Sequence, residues 1–464
     1  MKKNYLVVCF TAVLMFLGVT SVFAQQVPKA PNAIKNTLRG MNIVVGNWWH
    51  SYDTRITPPV NQWTGSDFQE KQLDYRKKLL QEYNFIMMEK NIAVWDEMPQ
   101  LAATSIMAGK PAATIFVLQP DWAIALQRQN LLYPVSSSKA INWTATTPIE
   151  WNRAVTSAFE FKNGRNVDSY AFAEGYGSSE HATVVFFNKR LFREAGLDPN
   201  LPYDLQKAGT WTWDKFLEIS KKLTRDINND GIPDTYAMTS DFATEILDAL
   251  VSSNGAMYVD KDKNGILVNA STRPEFLEAL RFYVTLRDAN VMKPKPPGDK
   301  TPWNWYIPEF NDGKVAMRID QQYLTTNDLM KMKDEWGMVL PPKGPRAKNY
   351  VVFNDENVRV IPAKGYTKEQ IDAILWAYQA WVTPPDNNWK LENYPKYRDR
   401  RAVDETLVLI RDQKLWQWKY HLHVPGLKRG GIAHEIRFLQ GDPAQLIEAV
   451  QNSWNALIMD ANGL

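Results

Sequence analysis

Ala182-Thr183-Val184-Val185-Phe186-Phe187-Asn188 runs without a linker into Lys189-Arg190-Leu191-Phe192-Arg193-Glu194-Ala195-Gly196-Leu197-Asp198-Pro199. Residues 182–187 are β-branched or aromatic apart from Ala182, and read as a strand. Residues 190–195 read as a short helix stopped by Gly196. Downstream, Thr212 is placed to cap a helix that runs to Thr224, with Trp213, Phe216, Leu217 and Leu223 on one apolar face. A strand feeding directly into helices is the beginning of an α/β fold.

The same order occurs upstream. Asn42-Ile43-Val44-Val45-Gly46 is a short β-rich run ending in Asn47-Trp48-Trp49-His50. Ser66 is placed to cap a helix, with Gln69 three residues on, and Phe68, Tyr75, Leu79 and Tyr83 then keep helical spacing. Residues 85–88 read as a strand, 98–109 as a helix and 114–118 as a strand, after which Asp121 is expected to cap a helix to Asn130. Strand–helix alternation of this kind implies βαβ units, a mostly parallel sheet and helices on both of its faces. Ligands of such sheets bind beyond the carboxyl ends of the strands. Trp48, Trp49, Asp121 and Trp122 fall there. The middle of the chain is expected to repeat the style, with strands at 315–319, 337–340 and 357–361 and long helices at 370–382 and 443–458.

Length and composition narrow the function. A chain of 464 residues exceeds one ordinary core, so more than one lobe is expected. Lys and Arg number 54 against 51 Asp and Glu, which removes the basic footprint of a nucleic-acid binder. Trp (18) is nearly as frequent as Tyr (19) and Phe (19), and several Trp residues sit in Pro- and Asn-rich loops where core packing does not explain them.

Lys2 and Lys3 precede an apolar run from Tyr5 to Val19, and Val22 and Ala24 fit a signal-peptidase site. Residues 1–24 are therefore expected to be a cleaved signal peptide, with export to the periplasm. The run is short for a membrane helix, and no later segment approaches ~18 uninterrupted apolar residues. Cys9, the one cysteine, lies inside the run without the small residues that lipoprotein processing needs.

The segment 186–199 resembles a signature of the bacterial extracellular solute-binding proteins of family 1, the group containing maltodextrin-binding and other sugar-binding components of ABC importers. The resemblance continues in order. Thr210-Trp211-Thr212-Trp213-Asp214-Lys215-Phe216 is similar to the family's helix entry without its proline, and Phe310-Asn311-Asp312-Gly313-Lys314-Val315-Ala316-Met317 to its F-x-x-G-k-x-A-M block. Leu340-Pro341-Pro342-Lys343-Gly344-Pro345 resembles its P-x-P-x-G turn, and residues 441–459 its closing helix. The resemblance implies a type II periplasmic-binding-protein fold, α/β in each of two lobes, with the ligand between them. By similarity, 25–180 and 355–405 form one lobe, and 181–354 with the C-terminal 406–464 form the other. The three hinge crossings are expected near 179–184, 353–358 and 400–410. An ABC importer permease is the implied partner, and the protein is expected to be a monomer.

A sugar offers C–H-rich faces to aromatic rings and hydroxyls to amides and carboxylates. Tyr323, six residues after Met317, matches where the family often puts a stacking aromatic. Trp48, Trp49, Trp122, Trp303 and Trp305 are the other aromatic candidates, the last two lying in an insertion-like loop; Asp121, Glu180 and Asp320 are the polar ones. Asp226, Asn228, Asp230, Ile232 and Asp234 follow calcium-loop spacing around Gly231, but Ala237 stands where the bidentate Glu belongs. No cofactor is required. His421-x-His423 alone is weak evidence for metal. With no catalytic motif in view, a carbohydrate-capturing protein is expected; the rivals are a secreted carbohydrate-active enzyme and a binding protein feeding a chemoreceptor or sensor.

Overall fold

Successive side chains of the strand Ile115–Leu118 enter two different cores. Ile115 and Val117 join Ile43, Val45, Leu79, Met87, Ile374 and Trp381. Phe116 and Leu118 join Met98, Ile106 and Ile124. This period of two is what a pleated strand shows when both faces of its sheet are covered. The helices Asp67–Tyr83 and Lys368–Val382 contribute to one face, and Met98–Met107 and Pro120–Arg128 to the other. The computed structural model describes residues 26–53, 65–141, 158–163, 166–173, 181–241, 243–298, 300–382, 389–438 and 442–463. The expected signal segment, Cys9 and Glu180 lie outside the described residues.

The strand order in this first sheet is Val358–Val360, Ile115–Leu118, Asn42–Asn47, Ile86–Asn91, Tyr52–Asp53. Asn42–Asn47 runs parallel to both neighbours, as the alternation of elements requires, whereas the two outer strands are antiparallel. Ser66 caps its helix as expected, accepting from the Gln69 backbone N–H at 3.4 Å. Asp121 does not cap. The helix begins one residue earlier, at Pro120, because proline suits a first helical position where no N–H is needed. The Asp121 carboxylate instead accepts from the Trp122 N–H at 3.0 Å.

The second lobe, built around a separate core (the second core), departs from the expected parallel style. Thr183–Asn188 lies between Met317–Gln321 and Trp336–Val339 and is antiparallel to both. The alternation of elements did not reveal this, since long excursions return these strands in the opposite sense. The family-like motifs interlock here. Trp211, fully buried, donates its indole N–H to the Leu340 carbonyl at 2.9 Å, while Lys343 and Trp211–Trp213 exchange backbone hydrogen bonds. Arg190 reaches both Asp334 and the Gly313 carbonyl. Gly313 has φ +68°, and a Cβ there would sit 2.2 Å from Arg190 Nη2, so only glycine closes this turn.

Among the described residues the backbone passes between the cores of the two lobes at three places, and Trp418 later inserts its ring into the first. Phe172 and Ala173 pack in the first region and Ala182 in the second; Val352 is in the second and Val358 in the first. Val382 is still in the first, whereas Trp389, Tyr394, Tyr397, Ala402 and Ile410 pack in the second. The third change therefore comes ahead of 400–410, because this apolar set is drawn into the second core.

Gly46 lies on the central of three parallel strands and is crowded from both sides: a Cβ would meet Ile92 Cδ1 at 2.6 Å and Ala113 Cβ at 2.7 Å. Gly46→Ala is expected to destabilise by about 1–3 kcal/mol through overpacking. A melting temperature equal to the wild type's would contradict this.

Candidate ligand-binding cleft

A cleft of about 470 Å³ opens between the two lobes. One wall carries Trp48, Trp49, His50, Trp95 and Gln119; the other carries Gln321, Tyr323, Thr326 and Asn327; His181 and Asn357 lie beside the first two crossings. Each wall is built from strand ends, where a sheet leaves its carboxyl termini exposed to ligand. Asn47, the last residue of its strand and fully buried, turns the chain by accepting from the backbone N–H groups of Trp49 and His50, both at 3.0 Å. That turn delivers Trp48, Trp49 and His50 to the opening. Gln119 follows the strand Ile115–Leu118 directly. On the opposite wall Met317–Gln321 ends in a 3₁₀ turn, Gln322–Thr326, which carries Tyr323 and Thr326.

The indoles support one another, edge to face at Trp48 and tilted between Trp95 and Trp122. Trp48 lies 4.8 Å from Trp49 and 5.2 Å from Trp122, and Trp95 lies 5.3 Å from Trp122. Trp122 thus stands behind the wall as a brace. Trp49 and Trp95 remain 38% and 53% exposed, an unusual amount of bare indole that ligand can cover. Across the cleft Tyr323 faces the His181 ring at 5.8 Å. Burial, reinforced by the nearby Asp320, pushes the Tyr323 hydroxyl up to about 12, so it stays protonated. His50 is paired with Glu89 at 2.7 Å. Burial works against the Glu89 carboxylate, but the His50 hydrogen bond and charge bring it below its usual range.

Of the residues expected at the site, Trp48, Trp49 and Tyr323 line the cleft and Trp122 lies directly behind it. Asp320 does not line it. It is buried and held by Arg318 at 2.7 and 2.9 Å, and the i, i+2 spacing of this pair on one strand is a signal that was present in the sequence. Trp305 is buried, its indole N–H on the Asp241 carboxylate, whereas Trp303 is 75% exposed and not among the described lining residues. Trp95, His181 and Asn357 were missed, because loops and crossings carry them and no periodicity marks them.

The 226–234 turn is closed by its own hydrogen bonds. Asp226 accepts from Asp230 and Gly231 N–H, Asp234 from Ile227 and Asn228 N–H, and Asp230 from Ile232 N–H. Among the described residues no group of three or more His, Cys, Asp or Glu converges as metal ligands do. The calcium expectation therefore rests on oxygen spacing alone. His421 and His423 are buried separately. His421 lies 5.0 Å from the Tyr258 ring, while His423 accepts from the Trp418 indole N–H at 3.0 Å.

A family model of bacterial extracellular solute-binding proteins matches residues 92–389. The chain belongs to that family. It is a solute-binding protein with the two-lobed α/β fold, and extracellular action is the family's setting. Solved structures agree on the fold. A cyclic α-maltosyl-1,6-maltose binding protein from Arthrobacter globiformis has a TM-score of 0.61 at 14% identity, covering 91% of this chain and 100% of the other. UgpB from Mycobacterium tuberculosis, in complex with glycerophosphocholine, has 0.60 at 15%, covering 91% and 99%. The GacH receptor of Streptomyces glaucescens, described with acarbose, has 0.57 at 12%, covering 91% and 99%. No curated sequence matches. Among the described residues no helix is long and apolar enough to cross a membrane.

The two buried histidines give this solute-binding protein a definite acid response. Burial lowers His421 well below 6.5, and Arg429 and Lys419 add to the effect; burial brings His423 to about 3. Both are neutral in the fold but protonated in the unfolded chain below about 6.5. Their contribution to stability is complete above that pH and is lost as pH falls toward 3. The loss is up to about 1.4 kcal/mol per pH unit for each. Unfolding midpoints measured from pH 7 to pH 4 should fall, and His423→Gln should make the fall shallower; an equally steep curve in that variant would contradict the assignment.

Proposed function

We propose that the protein captures an uncharged carbohydrate between its lobes and presents it to an ABC importer, without chemical turnover. The observation that carries this reading is the lining itself: three indoles and a phenol with amide, hydroxyl and imidazole groups between them, and no Lys, Arg, Asp or Glu among the described lining residues. Indole faces attract the slightly positive C–H faces of a sugar, and neutral amides both donate to and accept from hydroxyls. Two of the similar structures are described with saccharides or saccharide-like compounds and one with glycerophosphocholine. An aromatic wall also suits a quaternary ammonium. The phosphodiester of glycerophosphocholine, however, is best matched by a Lys or Arg, and the described lining holds neither.

Closure of the lobes is the expected consequence of binding, since a ligand touching both walls favours the state in which both contacts are made. A thermal-shift screen with maltotriose, mannotriose, ribitol, tagatose and glycerophosphocholine tests the solute class. A true saccharide ligand at a hundred times its Kd should stabilise by about 2.7 kcal/mol. A response to glycerophosphocholine alone would overturn the reading, and so would steady release of sugar products. Trp49→Ala and Tyr323→Ala, one on each wall, should each weaken saccharide binding by tenfold or more while leaving the melting temperature of the empty protein within a few degrees.

Export through a cleaved signal peptide belongs to the same proposal. It is supported by Lys2, Lys3, the apolar run after them and Ala24. The intact mass of protein recovered from a periplasmic extract should correspond to a chain beginning at Gln25; a mass that includes Met1 would contradict it.

A further inference from the structure

We infer that the side-chain oxygen of Asn357 is the acceptor for a solute hydroxyl at the floor of the cleft. We further infer that Asp355 and Lys419, which stand behind the cleft, fix its orientation through the imidazole of His181. The inference rests on the carbohydrate reading above and deepens it. Asn357 lines the cleft yet is only 7% exposed. Its Nδ2 lies 3.0 Å from His181 Nε2, while its Oδ1 has no hydrogen-bond partner among the described residues. Buried acceptors are rarely left without a partner, and a hydroxyl brought by a solute supplies one.

Which end of an asparagine amide faces a histidine depends on which ring nitrogen carries the proton. Asp355 Oδ1 stands 4.0 Å from His181 Nδ1. A carboxylate on that side favours the proton on Nδ1 and leaves Nε2 with a lone pair. Asn357 must then turn its NH₂ toward Nε2 and its oxygen away. Burial holds His181 below its ordinary pKa, with Lys419 and Arg359 acting the same way and Asp355 opposing them, so the ring has one N–H rather than two. Lys419 secures the carboxylate. Its ammonium is fully buried, 3.3 Å from Asp355 Oδ2, and its backbone N–H donates to the Asn354 carbonyl at 3.1 Å. The parallel pairing of Trp416–Trp418 with Val352–Asn354 brings it there. The Asn357 backbone is anchored as well, since Arg359 Nη1 donates to its carbonyl at 2.9 Å.

Nitrogen-15 NMR of histidine-labelled protein without solute tests the orientation directly. Wild-type His181 should carry its proton on Nδ1, and Asp355→Asn should move it wholly or partly to Nε2. Maltotriose affinity then tests the acceptor. Asn357→Leu and Asp355→Asn should each lower it about tenfold, and the double variant should lose no more than either single one, because both act through one oxygen. Lys419→Met should reproduce the Asp355→Asn tautomer; if it does not fold, Asp355→Asn carries the test by itself. A proton on Nε2 in the wild type, or losses that add in the double variant, would overturn the inference. Failure of maltotriose to bind wild-type protein overturns the proposed carbohydrate ligand instead, and the solute-free NMR result still decides the orientation.

Discussion

A lysine without exposed side-chain surface, Lys419, stands 3.3 Å from Asp355, 3.6 Å from Asp248 and 3.8 Å from Glu245. Placing an ammonium in a protein interior is costly unless opposite charges surround it, and the cost returns whenever one partner is removed. Arg429 joins the group, its Nε 2.9 Å from Asp248. Two cations thus face three carboxylates. Burial, with Asp248 and Asp355 adding to it and Lys419 and Arg429 opposing, raises the Glu245 carboxyl above its ordinary range, the direction expected where carboxylates outnumber cations. Thr183 donates to Glu245 at 3.3 Å, which brings in the first crossing; Asp355 brings in the second and Lys419 the C-terminal segment. Segments that are far apart in sequence are held in register where the lobes meet by a requirement of charge balance.

The cleft grows from that fixed point. Its two walls end different sheets, a mixed one and an antiparallel one, yet each offers aromatic groups just past a strand end. A strand terminus is where backbone groups stop pairing with neighbours, so the chain must turn, and a turn exposes side chains. Asn47 makes one such turn with its own carboxamide; the 3₁₀ segment after Gln321 makes the other. The rings then brace one another, with Trp122 behind Trp48 and Trp95. Aromatic walls on two lobes joined by several chain segments are the arrangement that the proposed capture by closure calls for.

What the sequence determined by itself was local or ordered along the chain. The caps at Ser66 and Thr212, the strand-to-helix junction at Asn188 and the helix faces follow from short-range chemistry that needs no partner. The order of the family-like motifs was legible too, as were Trp48 and Trp49 from their place after a strand and Tyr323 from the family resemblance. Tertiary structure alone decided where long-range partners met. Trp303 and Trp305, two residues apart, went to solvent and to the interior. The antiparallel second sheet and the early third crossing depended on how the chain returned, which propensity does not encode. His181 and Asn357 lie 3.0 Å apart but 176 residues apart in sequence, so no spacing rule could pair them. A contact of that kind arises only when the whole core has closed, because its geometry is set by packing and charge balance rather than by neighbours along the chain.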